Sequence, residues 1–227
     1  MTEITVPVLH CPHCAVPVPK WPCPHAQFDV IMADPPWPYD SPRALVGNGG
    51  RGSDGGKAAD IIQVDVSQHY NVMTVEQIKS LPVARVAAKN SLLFLWTTNP
   101  FLADGTAVEV ARAWGFIPKT VLTWAKVQAD GKTPSMKTGH WFRSASEHII
   151  FAVRGNVRRP EGFEALPTWQ PNRRLPHSHK PDLFYEIVEK TTPNGTYLEM
   201  FARREPRSAR WAVWGNEVAS TFQLNCV

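Results

Sequence analysis

The sequence predicts an α/β fold built on a mostly parallel, doubly wound sheet. Short apolar runs alternate with stretches of helical period along the chain, the pattern of strand–helix–strand units. The run Phe28–Ala33 ends in Asp34-Pro35-Pro36-Trp37, which puts rigid and polar residues where open parallel sheets bind ligands, just beyond a strand's carboxyl end. The chain has 227 residues, 43% of them hydrophobic, enough for one sizeable domain and too few for two.

The elements follow in order. Residues 1–26 are rich in Cys, His and Pro and form a separate segment, with the main domain expected over 27–227. Phe28–Ala33 reads as a buried strand. Six glycines between residues 41 and 60 mark a flexible loop. It is not a phosphate-binding loop, because Arg51 stands where the first glycine is needed and Ala58 follows Lys57. Thr74 and Gln77 have capping-box spacing and open a helix expected to run to about Ala88. Leu92–Trp96 is a strand, and Ala107–Trp114 a helix closed by Gly115. Val121–Trp124 and His148–Val153 are strands, and the Pro- and Arg-rich stretch from Gly155 to His179 reads as a long functional loop. Pro181 starts a helix that runs to about Lys190 and stops at Pro193-Asn194-Gly195. Tyr197–Phe201 and Trp211–Trp214 complete the strands.

Several classes drop out. No run of about 18 apolar residues suggests a membrane span, and the first residues lack the pattern of a secretory signal, so a cytoplasmic location is expected. No repeat or coiled-coil period is present. A net charge of +4 suits a phosphate-bearing partner without requiring one. Arg203, Arg204, Arg207 and Arg210 cluster, as do Arg154, Arg158, Arg159, Arg173 and Arg174. Such runs are ordinarily solvated faces, but nine tryptophans are interleaved with them, which favours base stacking and phosphate contact.

Asp34-Pro35-Pro36-Trp37 is the candidate catalytic turn. The Asp34 carboxylate and the Pro35 carbonyl offer two acceptors for the two hydrogens of an amino group, steadying positive charge as it develops on the nitrogen. The prolines fix φ and lack an N–H, so the carbonyls are held rigidly and escape a turn bond at the next nitrogen. Trp37 offers a face for stacking on a planar substrate. A plain Asp-Pro-Pro turn with a buried tryptophan remains the competing reading.

Further markers stand in a fixed order: Leu93-Phe94-Leu95-Trp96, Thr138-Gly139-His140-Trp141, Glu147-His148, Ser178-His179-Lys180-Pro181 and Trp214-Gly215-Asn216. With the Asp34 turn they make the chain similar, from Phe28 to Glu217, to the MT-A seventy-like family of N6-adenine methyltransferases. The resemblance implies a Rossmann-like class I methyltransferase fold with circularly permuted (beta-class) motif order, and S-adenosylmethionine as cofactor. It implies that Asp34, Pro35, Pro36 and Trp37 hold the target amine, and that Tyr70 and Trp96 shape the substrate pocket, joined by His140 and Glu147. Lys180, with His179 beside it, matches a lysine on the cofactor carboxylate; Arg203, Asn216 and Glu217 match positions around the cofactor ribose. Trp96 on an apolar strand also fits a core role, and Asn216 a turn. Lysine is electrostatically out of place at a helix start unless an anion accompanies it. The chain departs from the family at Arg203-Arg204-Glu205-Pro206, where His-Asn usually follows the arginine, and Glu217 replaces a glutamine.

In the first segment, Cys11, Cys14, Cys23 and His25 have the spacing of a Cys3His zinc knuckle, with His13 as a competing ligand. A redox Cys-x-x-Cys pair and free thiols are the alternatives. The expected role of one zinc ion is structural.

The resemblance implies methylation of adenine N6 in nucleic acid, with DNA ahead of RNA because a compact chain looks bacterial or phage-borne. A silent nucleic-acid-binding subunit is disfavoured by the intact Asp34 turn, and cytosine N4 chemistry by Asp rather than Ser at position 34. Specificity is assigned to the loops at 41–60, 127–146 and 155–177. A second copy of the chain, or a related subunit, is the expected protein partner.

Overall fold

The computed structural model describes residues 27–38, 72–136, 141–175 and 179–221. Its centre is a seven-stranded sheet made of β1 (Phe28–Ala33), β2 (Ala87–Thr97), β3 (Ile117–Val127), β4 (Ser146–Arg154), β5 (Trp169–Arg173), β6 (Tyr197–Met200) and β7 (Trp211–Trp214). The spatial order is β5-β3-β4-β2-β1-β6-β7. β1 pairs in parallel with β2 and β6, β6 with β7, and β3 with β5. β4 is antiparallel to both β2 and β3, so it opposes six strands that share one direction.

Side-chain alternation builds two layers from one sheet. Ile31, Ala33, Leu93 and Leu95 point to a core closed by α1 (Val75–Lys79), α2 (Val83–Val86) and α4 (Thr106–Ala113) through Ile78, Val83, Val86, Val110 and Trp114. Val30, Met32, Phe94 and Trp96 point the other way, onto Phe184, Ile187 and Val188 of α5 (Asp182–Thr191). Each such fully buried Val, Leu, Ile, Met or Phe side chain contributes about 1.5–3 kcal/mol, which makes the continuous apolar runs of β1 and β2 the backbone of the fold.

The capping box at Thr74 is formed, with both reciprocal bonds to Gln77 present. The helix it opens is shorter than expected. α1 ends at Lys79, α2 is a separate turn, and β2 begins at Ala87 instead of Leu92. Leu81-Pro82 is the cause: the residue before a proline avoids helical backbone, and Pro82 donates no helix bond. The stretch from Gly155 to His179 is also not all loop, since Trp169–Arg173 adds β5 to the sheet edge. A short α3 (Asn99–Ala103), with Pro100 in its first turn, was not foreseen.

Candidate active site

The chain steps outward from β1 to β2 and later returns to lay β6 against the other side of β1. The order therefore reverses between β1 and β6, and their carboxyl ends open a crevice of the kind that binds ligands. Asp34 leaves β1 there, Phe201 follows β6, and Gly215 follows β7. Two adjoining hollows, of about 250 and 760 Å3, share Asp34, Phe201, Arg203 and Glu217 in their walls. His179 and Lys180 line the first, and Asn216 the second. Every residue assigned from sequence to the cofactor thus lies on this one cleft.

Charges alternate inward from the cleft wall, where Asp34 and Lys180 stand, to Glu147 and Lys126 behind it. Lys180 Nζ is 3.0 Å from Asp34 Oδ2 and 2.8 Å from Glu147 Oε2, while Glu147 Oε1 accepts from Lys126. Burial alone would raise the Glu147 carboxyl; Lys180 and Lys126 outweigh it and hold the group down at about 2. Burial likewise opposes the Lys180 ammonium, but Asp34 and Glu147 raise it above the usual lysine value. The misplaced cation at the start of α5 is explained by these two carboxylates. Its ammonium also lies 4.4 Å over the Trp96 ring, a favourable cation–π arrangement. Trp96 is buried against Phe184 and Trp124, and among the described residues its indole N–H has no partner.

Two expectations about the catalytic turn need correction. Pro36 cannot bond Pro35, but the Trp37 N–H reaches past it and donates to the Pro35 carbonyl at 2.8 Å. One lone pair of that oxygen is engaged and a second remains. Trp37 does not present a stacking face: it is 3% exposed, packs on Phe101 at 5.0 Å, and donates its indole N–H to the Trp96 carbonyl at 3.1 Å. Flanked by β1, β2 and α3, it anchors the turn from below. Met73 N–H donates to the Pro36 carbonyl at 3.0 Å and fastens the other side.

The arginine cluster also resolves differently. Arg204 and Arg207 each reach Asp182 at 3.0 Å, Arg207 extends towards Glu186 and Glu189, and Arg210 donates to the Pro193 carbonyl. Arg204 and Arg207 hold the start of α5 against the segment after β6, and Arg210 ties that segment to the turn after α5. Arg203 pairs with Glu217 at 3.2 Å across the cleft.

Sequence reasoning missed Lys126, Tyr185, Glu199 and Phe201. Tyr185 O–H donates to Glu199 at 2.6 Å, and burial followed by the Glu199 charge pushes the phenol far above its usual value. Glu199 is itself raised, chiefly by burial. A lone carboxylate inside the apolar run Tyr197–Met200 was the available signal. Phe201 adopts a φ of 62°, a left-handed conformation that costs a non-glycine residue about 1–2 kcal/mol and marks the tight turn at the cleft. Tyr70, His140 and the proposed ligands Cys11, Cys14, Cys23 and His25 lie outside the described residues, and among the described residues no His, Cys, Asp and Glu cluster suits a metal ion. No helix among them is long and apolar enough to cross a membrane.

With this geometry in place, the comparisons are specific. The type II methyltransferase M.MunI of Mycoplasma sp is 27% identical over 196 residues, covering 86% of this chain and 79% of that protein. The N(6)-adenosine-methyltransferase catalytic subunit METTL3 of Homo sapiens is 25% identical over 211 residues, covering 88% of this chain and 30% of that protein. An N(6)-adenosine-methyltransferase MT-A70-like protein of Arabidopsis thaliana is 26% identical over 199 residues, covering 87% and 25% respectively. The chain thus spans most of the Mycoplasma protein and under a third of the two eukaryotic ones. The MT-A70 profile itself matches residues 28–217, a stretch that holds all seven strands and both hollows of the cleft, and the chain therefore belongs to the MT-A70 family.

Proposed function

We propose that the protein transfers a methyl group from S-adenosylmethionine to the exocyclic N6 of adenine in DNA. The observation that carries this is the Asp34 carboxylate, held by a rigid turn at the strand-order reversal and tied to a buried cation on the floor of the cleft. S-adenosylmethionine, when bound, supplies an electrophilic methyl on a sulfonium. The donor set fits it: Lys180 suits its carboxylate, and Arg203, paired with Glu217, suits the ribose hydroxyls together with Asn216. The Trp96 N–H in the same wall, unpartnered among the described residues, is a buried donor for a ligand to satisfy.

The chain's own work is placement and charge. Asp34 and the remaining Pro35 lone pair accept the two amine hydrogens and draw the nitrogen out of conjugation with the ring, which restores its nucleophilicity. As the carbon–nitrogen bond forms and the methyl's bond to sulfur breaks, with its electron pair left on a neutral thioether, positive charge would grow on the amine beside the Asp34 carboxylate, where fixed acceptors need no reorganisation. Lys180 and Glu147 hold that carboxylate in position, and the bound product loses its extra N–H proton to Asp34 or to water. Positioning supplies much of the remaining acceleration.

DNA is favoured because the relative covered over most of its length is named a type II methyltransferase. RNA is the second reading, supported by the N(6)-adenosine-methyltransferase names of the eukaryotic relatives. The test is incubation with labelled methyl donor and matched DNA and RNA pools, followed by identification of the modified base. Asp34→Ala should lower transfer by about 100-fold or more while calorimetry shows cofactor affinity retained; loss of cofactor binding would mean that Asp34 has another role. We also keep residues 1–26 as a separate segment holding a structural zinc. Metal analysis of the tag-free chain should then find about one equivalent, and finding none would remove the knuckle.

A further inference from the structure

The fold buries Trp37, Trp96, Trp114, Trp124 and Trp211, yet leaves Trp141 86% and the adjacent Phe142 90% exposed. The sheet topology says where this pair stands. β3 ends at Val127, and the chain re-enters the sheet at Ser146, opposite Ala125. Because β4 runs backwards, its beginning lies at the same end of the sheet as Asp34. The base of the connecting segment is fastened on both sides of Lys126, whose N–H donates to the Ala145 carbonyl at 2.8 Å and whose carbonyl accepts from Ser135 at 2.7 Å. The exposed pair therefore stands three residues before an anchored point of the chain, at the cleft end of the sheet.

Its distance from the chemistry is bounded. Glu147 comes five residues after Phe142 and touches Lys180, which touches Asp34. Five residues span at most about 18 Å when fully extended, and a stacked strand rises about 3.4 Å per base. A strand with one adenine in the cleft that leaves on this side meets the pair within a few nucleotides. The charge is suitable too: among the described residues of the connection, Lys132 and Arg143 stand against Asp130. Aromatic faces set among cations match bases and phosphates together, a combination that tolerates any base because every base has a π-face.

We propose that Trp141 and Phe142 form a stacking tip that holds the unpaired bases flanking the target adenine of a DNA strand. This rests on the nucleic-acid reading above and adds to it the residues that grip the strand outside the cleft. Extruding a base costs stacking, and a protein aromatic that replaces the lost neighbour offsets that cost.

The test uses a single-stranded DNA oligonucleotide with one adenine, either intact or with abasic residues on both sides, and the full chain as wild type and as the double variant Trp141→Ala, Phe142→Ala. On the intact strand the double variant should raise KM about tenfold or more, and Phe142→Tyr should restore part of that loss in the presence of Trp141. Abasic flanks should raise the wild-type KM by a similar factor and add little to the double variant. A wild type indifferent to abasic flanks overturns the tip without any variant. So does an unaltered KM in the double variant, or a double variant whose change is in sedimentation, which would make this a subunit contact. A wild type that methylates no nucleic acid at all overturns the underlying reading, and the tip with it; an active wild type with a failed flank experiment sinks the tip alone.

Discussion

Glu147 shows how a single residue ties stability to the site. Its carboxyl is lowered from 4.5 to about 2 by two lysines that overcome its burial. A depressed folded-state value stabilises the fold wherever the group is ionised. The contribution is complete above about pH 4.5 and is lost as pH falls towards 2. It is on the order of 3 kcal/mol. Denaturant titrations at a series of acidic pH values should show that loss in the wild type. Glu147→Gln should be less stable at neutral pH by about 3–5 kcal/mol, because Lys126 and Lys180 stay buried without their shared anion. It should also lack the Glu147 step between pH 4.5 and 2; an unchanged step would assign the titration elsewhere. The same residue illustrates what sequence can convey. Asp34 was legible because it ends a strand at a place where ligands bind. The partners of Glu147 were not, since Lys126 and Lys180 are 54 positions apart; sheet pairing brings the first to Glu147 and the packing of α5 the second.

At the scale of elements, apolar runs and punctuation made most of the fold readable. The strands that became β1, β6 and β7 were placed nearly residue by residue, because each is a short apolar run bounded by polar or turn residues. The errors occur where two signals competed. Thr74 and Gln77 start a helix correctly, but Leu81-Pro82 stops it within two turns. β5 carries Pro171 and alternates poorly, so nothing local distinguishes it from loop, and its pairing with Thr123–Val127 is what makes it a strand. Gly155 gives this scale its test. It takes a φ of 68° at the end of β4, and a Cβ there would overlap the Lys89 carbonyl oxygen and the Asn90 side chain. Gly155→Ala combines left-handed strain with that overlap and should cost about 2–3 kcal/mol, lowering Tm by roughly 4–12 °C for a domain of this size. A melting curve superimposable on the wild type would show that the β4 exit relaxes freely.

For the whole molecule, the measurable property is how far the cleft couples to global stability. A ligand that binds the folded chain at 100 times its Kd stabilises it by about 2.7 kcal/mol, which corresponds to roughly 5–10 °C in Tm. S-adenosylhomocysteine should produce such a shift, and Lys180→Ala should need a clearly higher concentration to match it. An identical dose dependence in both proteins would remove Lys180 from the cofactor's contacts. Where the strand order reverses was beyond the sequence, since it depends on which strands become neighbours, but the gathering of Asp34, Lys180, Arg203 and Glu217 at that reversal follows from it directly. The backward course of β4 has its own consequence. In a sheet of uniform direction each strand sends one connection to the catalytic rim and the next departs from the opposite edge. One inverted strand lets β3 and β4 be joined by a hairpin that begins and ends on that rim. Such a hairpin can lengthen, shorten or change composition without shifting any crossover helix, so the surface it presents beside the cleft is free to change while the sheet beneath it stays fixed.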